Sequence, residues 1–150
     1  MTIRTLILAI FALIISVVDS KTLRIPDFLL LSCFFALVIL DIYRSGGTWF
    51  FYENLLSASV WFIIFYLVYR YSGGLGFGDV KYAALLGYAL GLEKSGTAFL
   101  STALGAILVY VIGIGFLRWE KTVKLPFAPF LSFGAMAAEF YRNSLGELLI

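Results

Sequence analysis

Apolar residues occur in long runs along the chain, and short polar breaks separate one run from the next. A bilayer core of about 30 Å needs roughly 20 residues of helix to cross it, within a range of about 17–25. Some runs reach this length, and the shorter ones need flanking residues or a locally thinner membrane. The pattern therefore predicts an all-α, polytopic membrane helix bundle of about six transmembrane helices, at residues 5–18, 28–40, 50–69, 75–92, 97–117 and 127–140.

The composition points to a membrane as well. Hydrophobic residues make up 62% of the 150 residues and charged residues 13%, whereas a soluble domain is about 45–50% apolar and about 25% charged. A globule of this size cannot bury so much apolar surface. The composition excludes an ordinary cytosolic domain, a disordered tail and a nucleic-acid-binding protein, and it makes membrane lipid a partner. No internal repeat or linker divides the chain, so we expect residues 1–150 to form a single integral-membrane domain.

The positive charges predict the orientation in the membrane, because Lys and Arg accumulate in cytoplasmic loops. With six spans, one set of loops carries seven basic residues: Lys21, Arg24, Arg70, Lys81, Arg118, Lys121 and Lys124. The other set carries four: Arg4, Arg44, Lys94 and Arg142. We therefore predict a multi-pass protein of the cytoplasmic (inner) membrane with both termini outside. Three unusual segments, residues 19–27, 71–81 and 121–130, then share the cytoplasmic side.

The residue types that are missing narrow the chemistry. The chain has no histidine and a single cysteine, Cys33, inside an apolar run. Ser-His-Asp triads, His-ligated zinc, disulfides within the chain and cysteine metal clusters are therefore excluded. We expect no cofactor and no metal.

Two aspartates lie at the ends of apolar runs. A fourth span that began after Asp79 would be only about 20 Å long, too short for the bilayer core, so Asp79 must lie within the membrane or at its edge. Asp19, at the end of the short first run, makes a similar case. An ionisable group at that depth is a functional hypothesis by default. The alternative is that each carboxylate caps a helix N-terminus, but two such residues on one side favour a function.

A glycine-rich segment precedes Asp79. Four of the six residues from Gly73 to Gly78 are glycine, and glycine allows a close approach of backbone to backbone. Another extended chain could lie against Gly76 and Gly78, or the segment could be a flexible loop. A phosphate-binding P-loop is excluded, because Gly78 is followed by Asp79 rather than by Lys and Ser or Thr.

Elimination leaves one type of protease chemistry. Without histidine there is no Ser-His dyad and no H-E-x-x-H zinc site, so a membrane protease would need paired aspartates. Two carboxylates that share a site do not both ionise readily, so one keeps a proton. The ionised carboxylate activates a water molecule, and the protonated one donates to the scissile carbonyl.

Three motifs resemble those of the type IV prepilin peptidases and the related archaeal preflagellin peptidases. Residues 19–27 read DSKTLRIPD, residues 76–81 read GFGDVK with the family's G-x-G-D signature, and residues 125–131 read LPFAPFL. The motifs follow the family's order, and the resemblance extends over nearly the whole chain. Asp27 departs from the pattern, since the family usually has Asn there.

The resemblance implies an intramembrane aspartic endopeptidase with Asp19 and Asp79 as catalytic residues. The implied substrates are prepilin or pseudopilin precursors, with a short basic leader, a glycine and a hydrophobic helix, that are cleaved after the glycine at the cytoplasmic membrane face. The products would assemble into type IV pili or secretion pseudopili. Residues that would bind the substrate or support the site are Gly76, Gly78, Lys81, Lys21, Arg24, Pro126 and Pro129.

Several interpretations stay open beside this one. Lys21 and Arg24 could bind an acidic substrate residue or only anchor the topology, and Lys81 could tune Asp79 or extend to the interface. The small residues Ala83, Gly87 and Gly91 recur every four residues and indicate helix packing, which we expect against the first helix. Many bacterial members also carry paired C-x-x-C motifs and methylate the new N-terminus, which is not expected here. The alternative functions are a small proton-coupled membrane carrier and a non-enzymatic pilus assembly factor.

Overall fold

A computed structural model of the protein describes residues 2–45, 48–72, 74–115 and 126–148. Within these residues there is no strand, and five helices account for nearly all of the chain. The helices are α1 (Ile3–Thr22), α2 (Asp27–Ser45), α3 (Thr48–Ser72), α4 (Phe77–Gly115) and α5 (Ala128–Leu148). The prediction of an all-α membrane bundle is confirmed. By length and composition, three helical segments can cross a membrane: Ile3–Thr22, Phe51–Ser72 and Phe77–Gly113.

Helix α4 reverses direction at Gly91, where the backbone is not helical (φ 73°, ψ 173°). Trp61 of α3 shows the reversal, because its indole meets residues on both sides of the break. The indole lies 3.0 Å from the Cβ position of Gly87 and 4.2 Å, centroid to centroid, from the Phe99 ring. In a straight helix these two residues would lie about 18 Å apart. The two halves of α4 are therefore antiparallel neighbours.

The predicted spans match the observed helices closely. The spans at 75–92 and 97–117 correspond to the two halves of α4, and each of the other four corresponds to one helix. Six predicted segments thus appear as five helices, one of which is folded back on itself. The number that crosses the membrane and the orientation stay predictions.

Small residues bring the helices into close contact. A Cβ on Gly87 would lie 3.0 Å from the Ser57 carbonyl oxygen of α3, and a Cβ on Gly134 of α5 would clash with Thr102 in the second half of α4. Such close backbone approach is typical of helix packing in membranes. The expectation that the small face containing Gly87 packs against the first helix is therefore wrong: it packs against α3, because α3 runs alongside α4 from Asn54 to Tyr69.

The bundle has two distinct ends. The C-terminal end of α1 and the N-termini of α2, α4 and α5 meet at one end, which we call the cleft end. The opposite end, which we call the far end, contains the Gly91 turn and the start of α1. The cleft end contains most of residues 19–27, 71–81 and 121–130, the three segments that the positive charges predict on the cytoplasmic side. Residues 116–125, with Arg118, Lys121 and Lys124, lie outside the described part of the chain.

Candidate active site

Asp19 is the buried carboxylate of the cleft end, with 4% of its surface exposed. It lies in the last turn of α1, which ends at Leu23 in the left-handed conformation (φ 51°), and the Leu23 N–H donates to the Asp19 carbonyl oxygen at 2.8 Å. The Asp19 side chain turns toward α5, where its Oδ2 accepts the backbone N–H of Ala128 at 3.1 Å. Asp19 therefore caps the first residue of a helix that begins 109 residues later.

Asp79 is held by the first turn of its own helix. Its Oδ2 accepts the Gly76 N–H at 3.0 Å, and its backbone N–H donates to the Gly76 carbonyl oxygen at 3.1 Å. This reciprocal pair resembles the acidic half of a capping box. A Cβ on residue 76 would lie 3.1 Å from Asp79 Oδ2, so the glycine leaves room for the carboxylate to fold back. Asp79 is half-buried.

Both carboxylates line a single cleft of about 270 Å³, and they lie near enough for their charges to interact. The cleft is closed on one side by a tight contact, since a Cβ on Gly78 would lie 3.2 Å from Ile25 Cβ. The predicted site residues that line the cleft are Asp19, Arg24, Gly76, Gly78, Asp79 and Lys81. The structure thus brings the two motifs of the predicted dyad to one place.

The alternative interpretation, in which each carboxylate caps a helix N-terminus, also fits the structure, since each aspartate accepts a hydrogen bond from a helix N-terminus. Capping does not exclude chemistry, because each carboxylate has a second oxygen beside the one that accepts. Among the described residues, neither Asp19 nor Asp79 forms an ion pair. In the same part of the chain, no three His, Cys, Asp or Glu side chains are grouped so that they could hold a metal ion.

Lys81 pairs with Asp27 and not with Asp79. Its Nζ lies 2.7 and 2.8 Å from the two carboxylate oxygens of Asp27 and 5.1 Å from the centre of the Phe77 ring. The motif identified Lys81 as a site residue, but its partner Asp27 was not predicted. The signal was present, because Asp27 and Lys81 are opposite charges in two motifs that the topology places on one side.

The other predicted support residues lie around the cleft. Lys21 is exposed in the last turn of α1 and does not line the cleft. Pro126 and Pro129 flank Ala128, the residue whose N–H binds Asp19. Pro129 lies in the first turn of α5, where a missing N–H costs no intrahelical hydrogen bond.

A group of buried and half-buried hydroxyls, which was not predicted from the sequence, lies one helical turn deeper than the two aspartates. Ser132 Oγ lies 2.7 Å from both Ser16 Oγ and Tyr82 Oη, and it donates to the Ala12 carbonyl oxygen at 3.2 Å. We call Ser16, Tyr82 and Ser132 the hydroxyl layer. Ser16 precedes Asp19 by three residues, and Tyr82 follows Asp79 by three. This spacing places each hydroxyl on the same helix face as its aspartate, which is the signal that could have found them.

Comparison with known proteins decides the family. A model of the type IV leader peptidase family matches residues 6–117, a range that includes both aspartates and the cleft glycines. The chain belongs to that family. The resemblance noted from the three motifs is therefore confirmed, and it supports a role as a type IV prepilin peptidase. Pro126 and helix α5, which contains Pro129, lie beyond the matched residues.

Curated relatives in the type IV leader peptidase family carry the name prepilin leader peptidase/N-methyltransferase. The protein from Pectobacterium carotovorum is 35% identical over 138 residues, which is 87% of this chain and 48% of the relative. The Bacillus subtilis protein is 28% identical, with 89% and 53% covered, and the Burkholderia pseudomallei protein (strain 1026b) is 30% identical, with 91% and 46% covered. The chain spans about half the length of these relatives. No solved structure matches it.

Proposed function

We propose that this protein is an intramembrane aspartic endopeptidase that removes the leader of type IV prepilin-like precursors. Cleavage follows a glycine at the cytoplasmic face of the membrane, and Asp19 and Asp79 perform the reaction. One observation carries the proposal: aspartates from two separate motifs line one cleft, and backbone N–H groups rather than cations hold them there.

The reaction uses one proton that the two carboxylates share. The ionised carboxylate takes a proton from a water molecule, whose oxygen attacks the scissile carbonyl carbon while the protonated carboxyl donates to the carbonyl oxygen. Collapse of the tetrahedral intermediate breaks the C–N bond. The amine leaves with the proton that the first carboxylate took from water, and a hydroxyl of the intermediate returns a proton to the second carboxylate, which restores the shared proton. One proton belongs to the pair, so each carboxylate serves in both the acid and the base role.

The cleft fits an extended substrate chain. Gly76 is exposed at its rim and has no side chain, so the substrate backbone can approach Asp79 closely. Holding the reacting atoms in a fixed geometry supplies much of the rate enhancement of such a site. The hydroxyl layer joins α1, α4 and α5 one turn below the dyad and thereby fixes the helices that carry the two aspartates.

The test is cleavage of a leader-bearing precursor by purified protein in liposomes. Asp19→Asn and Asp79→Asn should each abolish cleavage, and Glu93→Gln, which removes an exposed carboxylate near the Gly91 turn, should retain it. Full processing by either aspartate variant would overturn the proposal. A proton-coupled carrier would give ion-dependent flux without cleavage, and an assembly factor would tolerate the loss of either aspartate.

A further inference from the structure

A second cavity, larger than the catalytic cleft, lies between α2, α3 and α4. It has a volume of about 390 Å³, within the range of about 300–1,000 Å³ that is usual for ligand pockets. Apolar side chains from all three helices line it: Leu30, Phe34, Ala58, Phe62, Ala84 and Leu85. We call it the apolar groove.

The apolar groove is continuous with the catalytic cleft. Asp27 and Lys81 line both cavities, and their ion pair marks the junction between them. Leu30 and Phe34 follow Asp27 along α2, and Ala84 and Leu85 follow Lys81 along α4. The groove therefore begins at the level of the dyad and runs from there toward the far end.

The walls of the apolar groove leave it open to the surrounding lipid. Ala58 of α3 and Ala84 of α4 are small, and two large side chains at the edge are only partly covered. Phe62 is 38% exposed and Leu31 is 54% exposed. An apolar segment of another chain can therefore enter sideways from the membrane without crossing a polar surface.

We infer that the apolar groove binds the first apolar residues that follow the scissile bond of the precursor. This inference rests on the proposed function. It is supported by the order of the two cavities, which matches the order of the segments along the precursor. A polar leader and a glycine fit the polar cleft, and the hydrophobic helix that follows fits the adjoining apolar groove. The chain passes the Asp27–Lys81 ion pair, which is exposed enough to move aside.

Photo-cross-linking tests the location of the bound precursor. Benzoylphenylalanine replaces Phe62 in the groove or, as a matched control, Phe133, which is 70% exposed on α5. The Asp79→Asn background keeps the precursor intact during irradiation. We expect cross-links from position 62 to the first turns of the precursor's hydrophobic helix and none from position 133. Cross-links from position 62 to lipid alone, or equal yields at the two positions, would overturn the inference.

Kinetics with a filled groove provide a second test. Ala84→Phe should lower kcat/KM for the full precursor by about an order of magnitude, mainly through KM, because the ring occupies the space in which the precursor's apolar side chains would bind. It should not affect a short leader peptide that ends soon after the scissile bond. Ala103→Phe, on an exposed face of α4, is the matched control. An equal loss of kcat/KM on both substrates would contradict binding in the apolar groove. If the unaltered protein cleaves neither substrate, the proposed function is contradicted instead.

Discussion

The aspartates at the two ends of the bundle have different hydrogen-bond and ion-pair partners. At the far end, Asp41 forms an ion pair with Arg4 (3.2 Å), and Arg4 also donates to the Tyr88 carbonyl oxygen. At the cleft end, Asp19 and Asp79 accept hydrogen bonds from backbone N–H groups. The full charge of a guanidinium favours an ionised carboxylate more strongly than a neutral amide does, so the cleft end is better suited to a pair of carboxyl groups that shares a proton. The same residue type is structural beside arginine and suited to proton transfer beside a backbone amide.

The largest expected effect is on catalysis at the cleft end. Asp19→Asn or Asp79→Asn should lower the cleavage rate by a factor of about 10²–10⁴ or more, because each removes an acid-base group. The thermal unfolding midpoint should change little, since asparagine also accepts the capping hydrogen bond. Rate and unfolding are measured on the same preparations. An unchanged cleavage rate with an unchanged unfolding midpoint would show that these aspartates act only as caps.

The far end should respond in the opposite way. Asp41→Ala leaves Arg4 partly buried without this ion-pair partner, and such changes lower the free energy of unfolding by about 3–5 kcal/mol. The protein that remains folded should still cleave. Adding Arg4→Met should restore much of the stability, because it removes the uncompensated charge. If the double variant is no more stable than Asp41→Ala, the buried charge is not the cause.

A smaller effect is expected from the glycine that faces Asp79. Gly76→Ala places a Cβ 3.1 Å from Asp79 Oδ2, so the carboxylate must shift by a few tenths of an ångström. We expect a roughly 10-fold loss in kcat, less than the about 10²-fold that a 1 Å displacement can cost. Gly74→Ala is the control, because its Cβ would have no neighbour within 4 Å. Similar losses in both variants would point to general flexibility of the segment.

The smallest effect concerns the hydroxyl layer. Tyr82→Phe removes the hydrogen bond to Ser132 and should cost about 1 kcal/mol of stability. If the layer positions the dyad, kcat should fall several-fold while KM stays constant, and the pH profile of kcat should change shape. A loss of stability with unchanged kcat and pH profile would mean that the layer only joins the helices.

The positions of the helices followed from the sequence because each apolar run had to become a membrane-length helix. The position of the reversal in α4 was harder to predict. The polar residues Glu93 to Gly96 indicated a break, but the chain turns at Gly91, where φ is positive and the Asn54 side chain of α3 lies 3.4 Å from the Cβ position. That neighbour belongs to the packed structure and leaves no trace in the local pattern.

The candidate site shows the same division. The depth argument and the motifs identified Asp19 and Asp79, which do line one cleft. The partners of the site residues did not follow from the local pattern, because they are remote in sequence. Ala128 donates to Asp19 across 109 residues, and Lys81 reaches Asp27 across 54. Only the arrangement of the helices decides such pairs.

The turn at Gly91 also has a consequence for biogenesis. A chain that reverses at a single residue can enter the bilayer as a paired helical hairpin rather than as two successive spans. The tip of that hairpin carries one acidic and one basic residue, Glu93 and Lys94. Lys94 meets Glu139 at 2.9 Å only after α5 is in place. The ion pair therefore links the tip of the hairpin to α5.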